Sequence, residues 1–155
     1  MKMGLITAAL FVGGSLFLSR YTFGYDGQIY KCIPGYSVYL IDKKDVELVK
    51  GKTYAFAANG TEPLIKNGTI LVKFLRGMPG DHVEIKADTK IYVNGEMTGG
   101  GLRYAEKLGA SEEDFIGKAV INGLWFMGTS TYSFDSRYWG VAEQEQVIGR
   151  AYPIF

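Results

Sequence analysis

The sequence contains very few of the side chains from which most catalytic and metal sites are built. Its 155 residues include one cysteine, Cys32, and one histidine, His82. A single cysteine excludes an internal disulfide and any cysteine-rich zinc site. A Ser-His-Asp or Cys-His arrangement would have to use His82, which directly follows a Pro-Gly-Asp turn and is better explained as a polar turn residue. We therefore expect neither a metal nor a cofactor.

An excess of positive charge is also missing. The 17 lysines and arginines nearly balance the 16 acidic residues, which leaves a net charge of +1 and a pI near 7.7. Because domains that bind nucleic acid present a basic surface, no nucleic-acid partner is expected. What the sequence has instead is 21 glycines, 11 tyrosines and 9 phenylalanines, a composition typical of an all-β domain with many turns. The length suits one domain.

A nearly unbroken apolar run, residues 3–18, lies between Lys2 and Arg20. It is slightly shorter than the roughly 20 residues that span a membrane as a helix. A cleaved secretory signal is the alternative, but Phe17 and Leu18 stand where small residues are needed before a cleavage site. We therefore predict that residues 1–20 form an uncleaved transmembrane anchor and that residues 21–155 form a separate folded domain.

The remaining pattern predicts that this domain is mostly β and antiparallel, with little helix. Strands are expected at residues 36–41, 52–58, 70–75, 82–86, 90–93, 118–121, 124–127 and 146–154. Asn94-Gly95 is a good hairpin turn, and the sequence from Ser111 to Asp114 resembles a helix capping box. Residues 21–27 are expected to form a short aromatic linker, and residues 98–113 to be the least regular part.

The expected strand at residues 70–75 is unusual because Lys73 interrupts an otherwise apolar run. A run of this length is typical of a strand that is buried on both faces. Burial disfavours the charged form of a lysine, and a neutral amine can act as a general base. The simpler alternative is a lysine that extends its ammonium group to solvent from a strand edge.

Two motifs follow that are more specific than composition. Lys73 begins the string Lys-x-x-x-Gly-x-Pro-Gly-Asp, which ends in turn residues at positions 77–81. Residues 133–140 read Ser-Phe-Asp-Ser-Arg-Tyr-Trp-Gly. These strings resemble the lysine box and the carboxy-terminal box of the type I signal peptidases, and we use those names for residues 73–81 and 133–140.

The resemblance implies a role for several residues of the two boxes. Lys73 matches the general base of the family's Ser–Lys dyad, and Ser133 matches the residue that hydrogen-bonds the lysine. Asp135 and Arg137 match an ion pair that supports the carboxy-terminal box. The aromatic pair at residues 138–139 is better explained as core than as a substrate contact.

The resemblance places Cys32 where the family has its nucleophilic serine, two residues before Pro34. A cysteine suits this role because a thiol gives up its proton far more readily than a serine hydroxyl. The alternative is a buried cysteine that acts as a small hydrophobic residue. Ser37 is a competing nucleophile, but it follows the proline and fits the strand pattern. Tyr30 stands where relatives often have a hydroxyl that completes the oxyanion hole, so the second oxyanion donor is not assigned.

The small size and the form of the carboxy-terminal box look most like the TraF-type peptidases of conjugative transfer. The resemblance then implies a bacterial inner-membrane enzyme that faces the periplasm and processes, or cyclises, a pilin precursor for type IV secretion. A general signal peptidase that removes leader peptides from exported preproteins is one alternative. A catalytically inactive assembly factor is another. An extended substrate is expected to bind by β-addition beside the strand before Cys32 and a strand near residues 52–58.

Overall fold

The strands of the chain form two antiparallel sheets. In this computed structural model residues 2–155 are described, with side chains from residue 10 onward. The strands are β1 (Tyr21–Tyr25), β2 (Val38–Asp42), β3 (Thr53–Ala57), β4 (Ile70–Gly77), β5 (His82–Ile85), β6 (Lys90–Val93), β7 (Glu96–Gly100), β8 (Gly117–Val120), β9 (Trp125–Met127) and β10 (Val147–Pro153). The helices are α1 (Lys2–Arg20) and α2 (Ser136–Trp139), with short 3₁₀ turns at Glu106–Leu108, Glu112–Phe115 and Gln144–Gln146.

The larger sheet has the strand order β1-β2-β10-β3-β4-β9, and the smaller sheet has the order β7-β6-β5-β8. Every pairing between these strands is antiparallel. The turn at residues 78–81 connects β4 of the larger sheet to β5 of the smaller one. The prediction of a mostly antiparallel β domain with little helix is therefore confirmed for the domain that follows α1.

Alternate side chains of the strands point to opposite faces of the sheet, and they belong to separate parts of the core. On β3, Tyr54 and Phe56 belong to one buried cluster, whereas Ala55 faces a second cluster on the other side of the sheet. Phe56 stacks on Phe126 of β9 with 4.2 Å between ring centroids. Trp125, the neighbour of Phe126, packs instead with the apolar residues of the smaller sheet. β9 therefore joins the cores of the two sheets.

The expectation for residues 70–75 is wrong in one respect. Leu71 and Lys73 are buried, whereas the intervening Val72 and the following Phe74 are only partly buried. One face of β4 is therefore in the core and the other is partly open, which is the usual alternation of an antiparallel strand. Lys73 lies on the buried face, so it does not extend to solvent from a strand edge.

Two short-range turn predictions are confirmed. Asn94 and Gly95 both have positive φ, 50° and 84°, and they connect β6 to β7. Ser111 and Asp114 form the expected capping box, in which the Ser111 N–H donates to the Asp114 carboxylate at 2.8 Å. Both features depend only on residues that are close in sequence.

Parts of two segments expected to be irregular are strands. The predicted linker, residues 21–27, contains β1, because these aromatic residues pair along the whole length of β2. The predicted irregular region begins inside β7, which pairs with β6 up to Gly100. A Cβ at Gly99 would lie 2.9 Å from Met127 Cε, so the small residues there allow this close approach.

The predicted anchor, residues 1–20, coincides with α1, although Met1 and the side chains of residues 1–9 lie outside the described part. Within the part of the chain that the structure describes, no helix is both long enough and apolar enough to cross a membrane. The described side chains of α1 include several exposed apolar ones, among them Leu10, Phe11 and Leu16.

Candidate active site

β4 places Lys73 inside the domain, where it meets the carboxy-terminal box. The Lys73 ammonium nitrogen Nζ donates to Ser133 Oγ at 3.0 Å. Lys73 is 1% exposed and Ser133 is fully buried. Sixty residues separate them in the sequence, so this contact exists only in the folded chain. The hydrogen bond fixes the position of the buried lysine head group.

The carboxy-terminal box is held in shape by a buried ion pair. Asp135 and Arg137 are joined by a 2.7 Å contact between Oδ1 and Nε, and both side chains are fully buried. Asp135 also accepts a hydrogen bond from the Gly128 N–H at 2.9 Å. Arg137 donates from Nη1 to the carbonyl oxygens of Gly100 and Gly101. The pair therefore ties α2 to the end of β9 and to the end of β7.

Cys32 lies on a loop that packs against the segment between β9 and α2. Its carbonyl oxygen accepts hydrogen bonds from the N–H groups of Thr129, at 2.9 Å, and Ser130, at 3.3 Å. The rings of Tyr30 and Tyr132 stack across the same junction with 4.5 Å between centroids. Cys32 itself is 8% exposed.

Gly128 allows the Cys32 loop to approach Ser133 of the carboxy-terminal box. A Cβ at Gly128 would stand 2.4 Å from Ser133 Oγ and 2.5 Å from the Cys32 carbonyl oxygen. A side chain at position 128 would clash with both groups. Glycine therefore allows the Cys32 loop and Ser133 to pack closely against the same backbone segment.

Cys32 and Lys73 both line two neighbouring clefts. We call the first the strand-edge cleft: it has a volume of about 380 Å³ and lies between residues 22–28 and residues 69–73. We call the second the aromatic cleft: it has a volume of about 440 Å³ and is lined by Tyr30, Tyr104 and Phe134, among others. A larger cavity of about 500 Å³, around Leu102 and Ser111, touches neither member of the pair.

The strand-edge cleft lies between two strand edges that have no neighbour. β1 pairs only with β2, and the first half of β4 pairs with β3 but not with β9. Both walls of this cleft therefore include a strand edge without a neighbouring strand. The expectation that residues 52–58 form a wall is wrong, because β3 is paired on both sides, with β10 and with β4.

Two tyrosines in the clefts remain protonated at neutral pH. Burial raises the pKa of Tyr39 to about 12, and the nearby Asp26 adds to the effect. Burial also raises the pKa of Tyr104, and the nearby Cys32 adds to this effect. Neither phenol can therefore act as a general base, and Lys73 is the amine that faces both clefts.

Two alternative residues are not placed with this pair. Ser37 is hydrogen-bonded to Lys31 and lines neither the strand-edge cleft nor the aromatic cleft. His82 lies exposed at the start of β5 and also lines neither cleft. Cys32, by contrast, lines both clefts together with Lys73.

Sequence analysis did not identify Gln28. The Cys32 thiol Sγ lies 3.8 Å from the Gln28 side-chain oxygen Oε1, and Gln28 lines both clefts. Among the residues that the structure describes, no group accepts a hydrogen bond from the Cys32 N–H. Nothing in the sequence marks Gln28, apart from Asp26 two residues earlier, a spacing typical of an Asx turn.

The fold and the site together define a mostly β protein in which a cysteine and a buried, hydrogen-bonded lysine share their clefts. The chain belongs to the signal peptidase family, peptidase S26, whose family model matches residues 29–155. The matched range contains Cys32 and both boxes.

Two similar proteins carry the same family name. Signal peptidase I of Pseudomonas fluorescens is 27% identical, and the similarity covers 54% of this chain and 42% of that protein. The chain therefore spans less than half the length of this curated relative. A crystal structure of signal peptidase I from Enterococcus faecalis V583 is 24% identical, with a TM-score of 0.43, and covers 67% of this chain and 96% of the other.

Proposed function

We propose that this protein is a peptidase that uses Cys32 as its nucleophile and Lys73 as its general base. The supporting observation is that the two residues line the same pair of clefts while Ser133 holds the lysine at 3.0 Å. In the family pattern a serine stands at the position of Cys32. A cysteine thiol can replace the serine hydroxyl as nucleophile, because it loses its proton more readily and is more nucleophilic.

The reaction would proceed through a thioester. Lys73, as the neutral amine, takes the proton of the Cys32 thiol, and the thiolate attacks the carbonyl carbon of the scissile bond. The Cys32 N–H donates to the oxyanion that forms. The C–N bond then breaks, and the departing amine takes its proton from the Lys73 ammonium. Water, or another amine, finally attacks the thioester and releases the thiol.

The proposed substrate is an exported preprotein with small residues before the cleavage site. An extended leader segment would add a strand between β1 and the first half of β4, where both edges lack a neighbour. The name of the Pseudomonas relative, signal peptidase I, supports leader-peptide removal as the general form of this activity.

We also propose that residues 1–20 hold the domain at the bacterial inner membrane, with the clefts on the periplasmic side. Exposed apolar side chains continue from α1 into β1, where Phe23 and Tyr25 are 61% and 79% exposed. Such a surface is favoured at a membrane interface. Carbonate extraction of membranes, followed by protease treatment of spheroplasts, tests both points.

The activity is tested with the full-length protein in detergent and a preprotein substrate. We expect cleavage by the wild type and by Ser37→Ala, and none by Cys32→Ala or Lys73→Met. Alkylation of Cys32, the single thiol, should be faster at pH 7 in the wild type than in Lys73→Met. Cleavage that survives in Cys32→Ala would remove Cys32 from the mechanism. If both variants support normal export or pilus assembly in cells, the protein acts as an inactive assembly factor.

Pilin maturation is the more specific candidate, and Cys32 is the observation that favours it. A thioester reacts more readily with amines than an oxygen ester does, so the amino group of the pilin could replace water and close a ring. The test compares the wild type with Cys32→Ser on a pilin precursor of a conjugative type IV system. We expect a smaller share of cyclic product from Cys32→Ser, and an equal share would rule out this explanation of the cysteine. Efficient cleavage of many unrelated preproteins would favour the general signal peptidase.

A further inference from the structure

The side chain of Gln28 lies beside the sulfur of Cys32 at the point where the two clefts meet. The distance from Cys32 Sγ to Gln28 Oε1 is 3.8 Å. The backbone of Gln28 is fixed by Asp26, whose carboxylate Oδ1 accepts a hydrogen bond from the Gln28 N–H at 3.0 Å. A polar side chain is thus held next to the reacting atom by a local turn.

The proposed reaction needs a second hydrogen-bond donor. A tetrahedral oxyanion is normally stabilised by two donors, and removal of one typically lowers the rate by about 10²–10³. The Cys32 N–H supplies the first. The residue two positions earlier, Tyr30, has its ring stacked against Tyr132. Position 30 therefore carries no small side-chain hydroxyl that could serve as the second oxyanion donor.

We propose that the Gln28 side-chain amide donates the second hydrogen bond to the oxyanion. This inference rests on the proposed function of Cys32. In the resting state the thiol S–H donates to Gln28 Oε1. Once Lys73 has taken that proton, the oxygen has lost its donor, and a half-turn of the terminal amide presents Nε2 instead. No proton leaves Gln28: the amide only shares one with the oxyanion while the new C–S bond forms.

Lys107 is the cationic rival for this role. It lines the aromatic cleft, and its ammonium lies 5.1 Å from the ring centroid of Tyr104. Both Lys107 and Gln28 are exposed, but Lys107 lines only one of the two clefts. Gln28 lines both and is the polar side chain in contact with the sulfur, so the geometry favours the amide.

The test uses full-length protein in detergent and a fluorogenic peptide with Ala-x-Ala before the scissile bond. Single-turnover acylation is measured for Gln28→Ala and for Gln28→Glu, which keeps the shape but has no N–H. Gln144→Ala, at an exposed glutamine that lines neither cleft, is the matched control, and Lys107→Met tests the rival. We expect a loss of about 10²–10³ in both Gln28 variants and little change in the other two.

A second readout separates an oxyanion donor from a structural role. A peptide aldehyde forms a tetrahedral adduct with the thiol, whereas the corresponding peptide alcohol binds without reacting. We expect the Gln28 variants to lose aldehyde affinity by the factor lost in acylation, with alcohol affinity unchanged.

The outcomes distinguish this inference from the proposed function. If Gln28→Ala acylates at the wild-type rate while Cys32→Ala is inactive, the inference is wrong and the proposed function stands. If aldehyde and alcohol affinity fall together, Gln28 only shapes the cleft, and the inference is again wrong. If Cys32→Ala remains active, the nucleophile itself is misassigned, and the role of Gln28 is overturned with it.

Discussion

At the scale of single residues, the position of the Lys73 head group depends on one buried contact. Among the described residues Lys73 Nζ has one hydrogen-bond partner, Ser133, and the neighbouring β4 side chain on the same face is Leu71. Loss of that partner is costly, because no water replaces the lost hydrogen bond in a buried place.

We predict that Ser133→Ala both destabilises the protein and slows cleavage. The substitution leaves the Lys73 ammonium or amine without its partner in a buried place. An unsatisfied buried polar group costs about 1–3 kcal/mol, so urea unfolding should show a loss of that size. The rate should fall as well, because the lysine head group is no longer held in the clefts that it shares with Cys32.

Ser130→Ala is the matched control for this variant. Ser130 lies on the same segment, and its hydroxyl accepts a hydrogen bond from the Tyr132 N–H in an exposed position. Its removal should change stability and rate little. Equal losses in the two variants would mean that the effect belongs to the loop as a whole, and not to the contact with Lys73.

A second prediction concerns Asp81, the last residue of the lysine box. Burial disfavours its carboxylate, but hydrogen bonds from the Met78 N–H at 2.8 Å and the Asn94 amide at 2.7 Å, with the ammonium of Lys50 at 3.0 Å, outweigh burial. Together they hold the pKa of Asp81 below its ordinary value. The carboxylate therefore stabilises the fold at any pH above the ordinary value of about 4, and this stabilisation is lost as the pH falls through the lower, folded-state value.

Asp81→Asn should accordingly be less stable than the wild type at pH 7, and the difference should shrink as the pH falls below about 4. Urea unfolding between pH 7 and pH 3 measures this. Asp88→Asn is the control, because the Asp88–Lys90 pair lies half exposed and such pairs contribute little. A pH-independent difference for Asp81→Asn would show that the charge is not what matters.

At the scale of secondary-structure elements, the segments that could be predicted are those that local residues determine. The Asn94-Gly95 turn and the capping box at Ser111 need only a few neighbouring side chains. β1 could not be predicted in this way, because its residues form a strand only by pairing with β2. β7 was missed for a related reason: its glycines look flexible in sequence, and they form a strand only by pairing with β6.

Gly128 provides the third prediction, which belongs to the junction between β9 and the loop of Cys32. Alanine there would place a carbon 2.4 Å from Ser133 Oγ and 2.5 Å from the Cys32 carbonyl oxygen. One of the two segments must move, so Gly128→Ala should lower both the cleavage rate and the rate of Cys32 alkylation, and it should destabilise the fold.

The control for this variant is Gly14→Ala in α1, where a Cβ would have nothing within 4 Å. It should leave both rates unchanged. Full activity in Gly128→Ala would mean that the two segments can separate without affecting the site, which the close contact argues against.

At the scale of the whole molecule, the site is assembled from three distant parts of the chain, around Cys32, Lys73 and Ser133. The resemblance in the two boxes, together with the position of Cys32 two residues before Pro34, allowed these residues to be proposed from sequence. The strand-edge cleft could not be, since its walls come from β1 and β4, and the pairing of β4 with β9 only in its second half leaves the first half open. The identification of residues 52–58 as a wall failed because sequence does not show which strand edges are already paired.

The final prediction follows from this incomplete pairing. A peptide that adds a strand between β1 and β4 should slow amide hydrogen exchange in Thr22–Tyr25 and Ile70–Val72, since both edges gain hydrogen-bond partners. The experiment uses Cys32→Ala, which binds but does not cut, and compares exchange with and without a saturating leader peptide. β8 serves as the internal control, because it lies at an edge of the smaller sheet and is exposed along its length. Protection at β8 as well would indicate unspecific pairing with any free edge, and protection at neither wall of the strand-edge cleft would exclude strand addition there. Protection confined to the two walls would show that the peptide binds in the strand-edge cleft, which Cys32 and Lys73 also line.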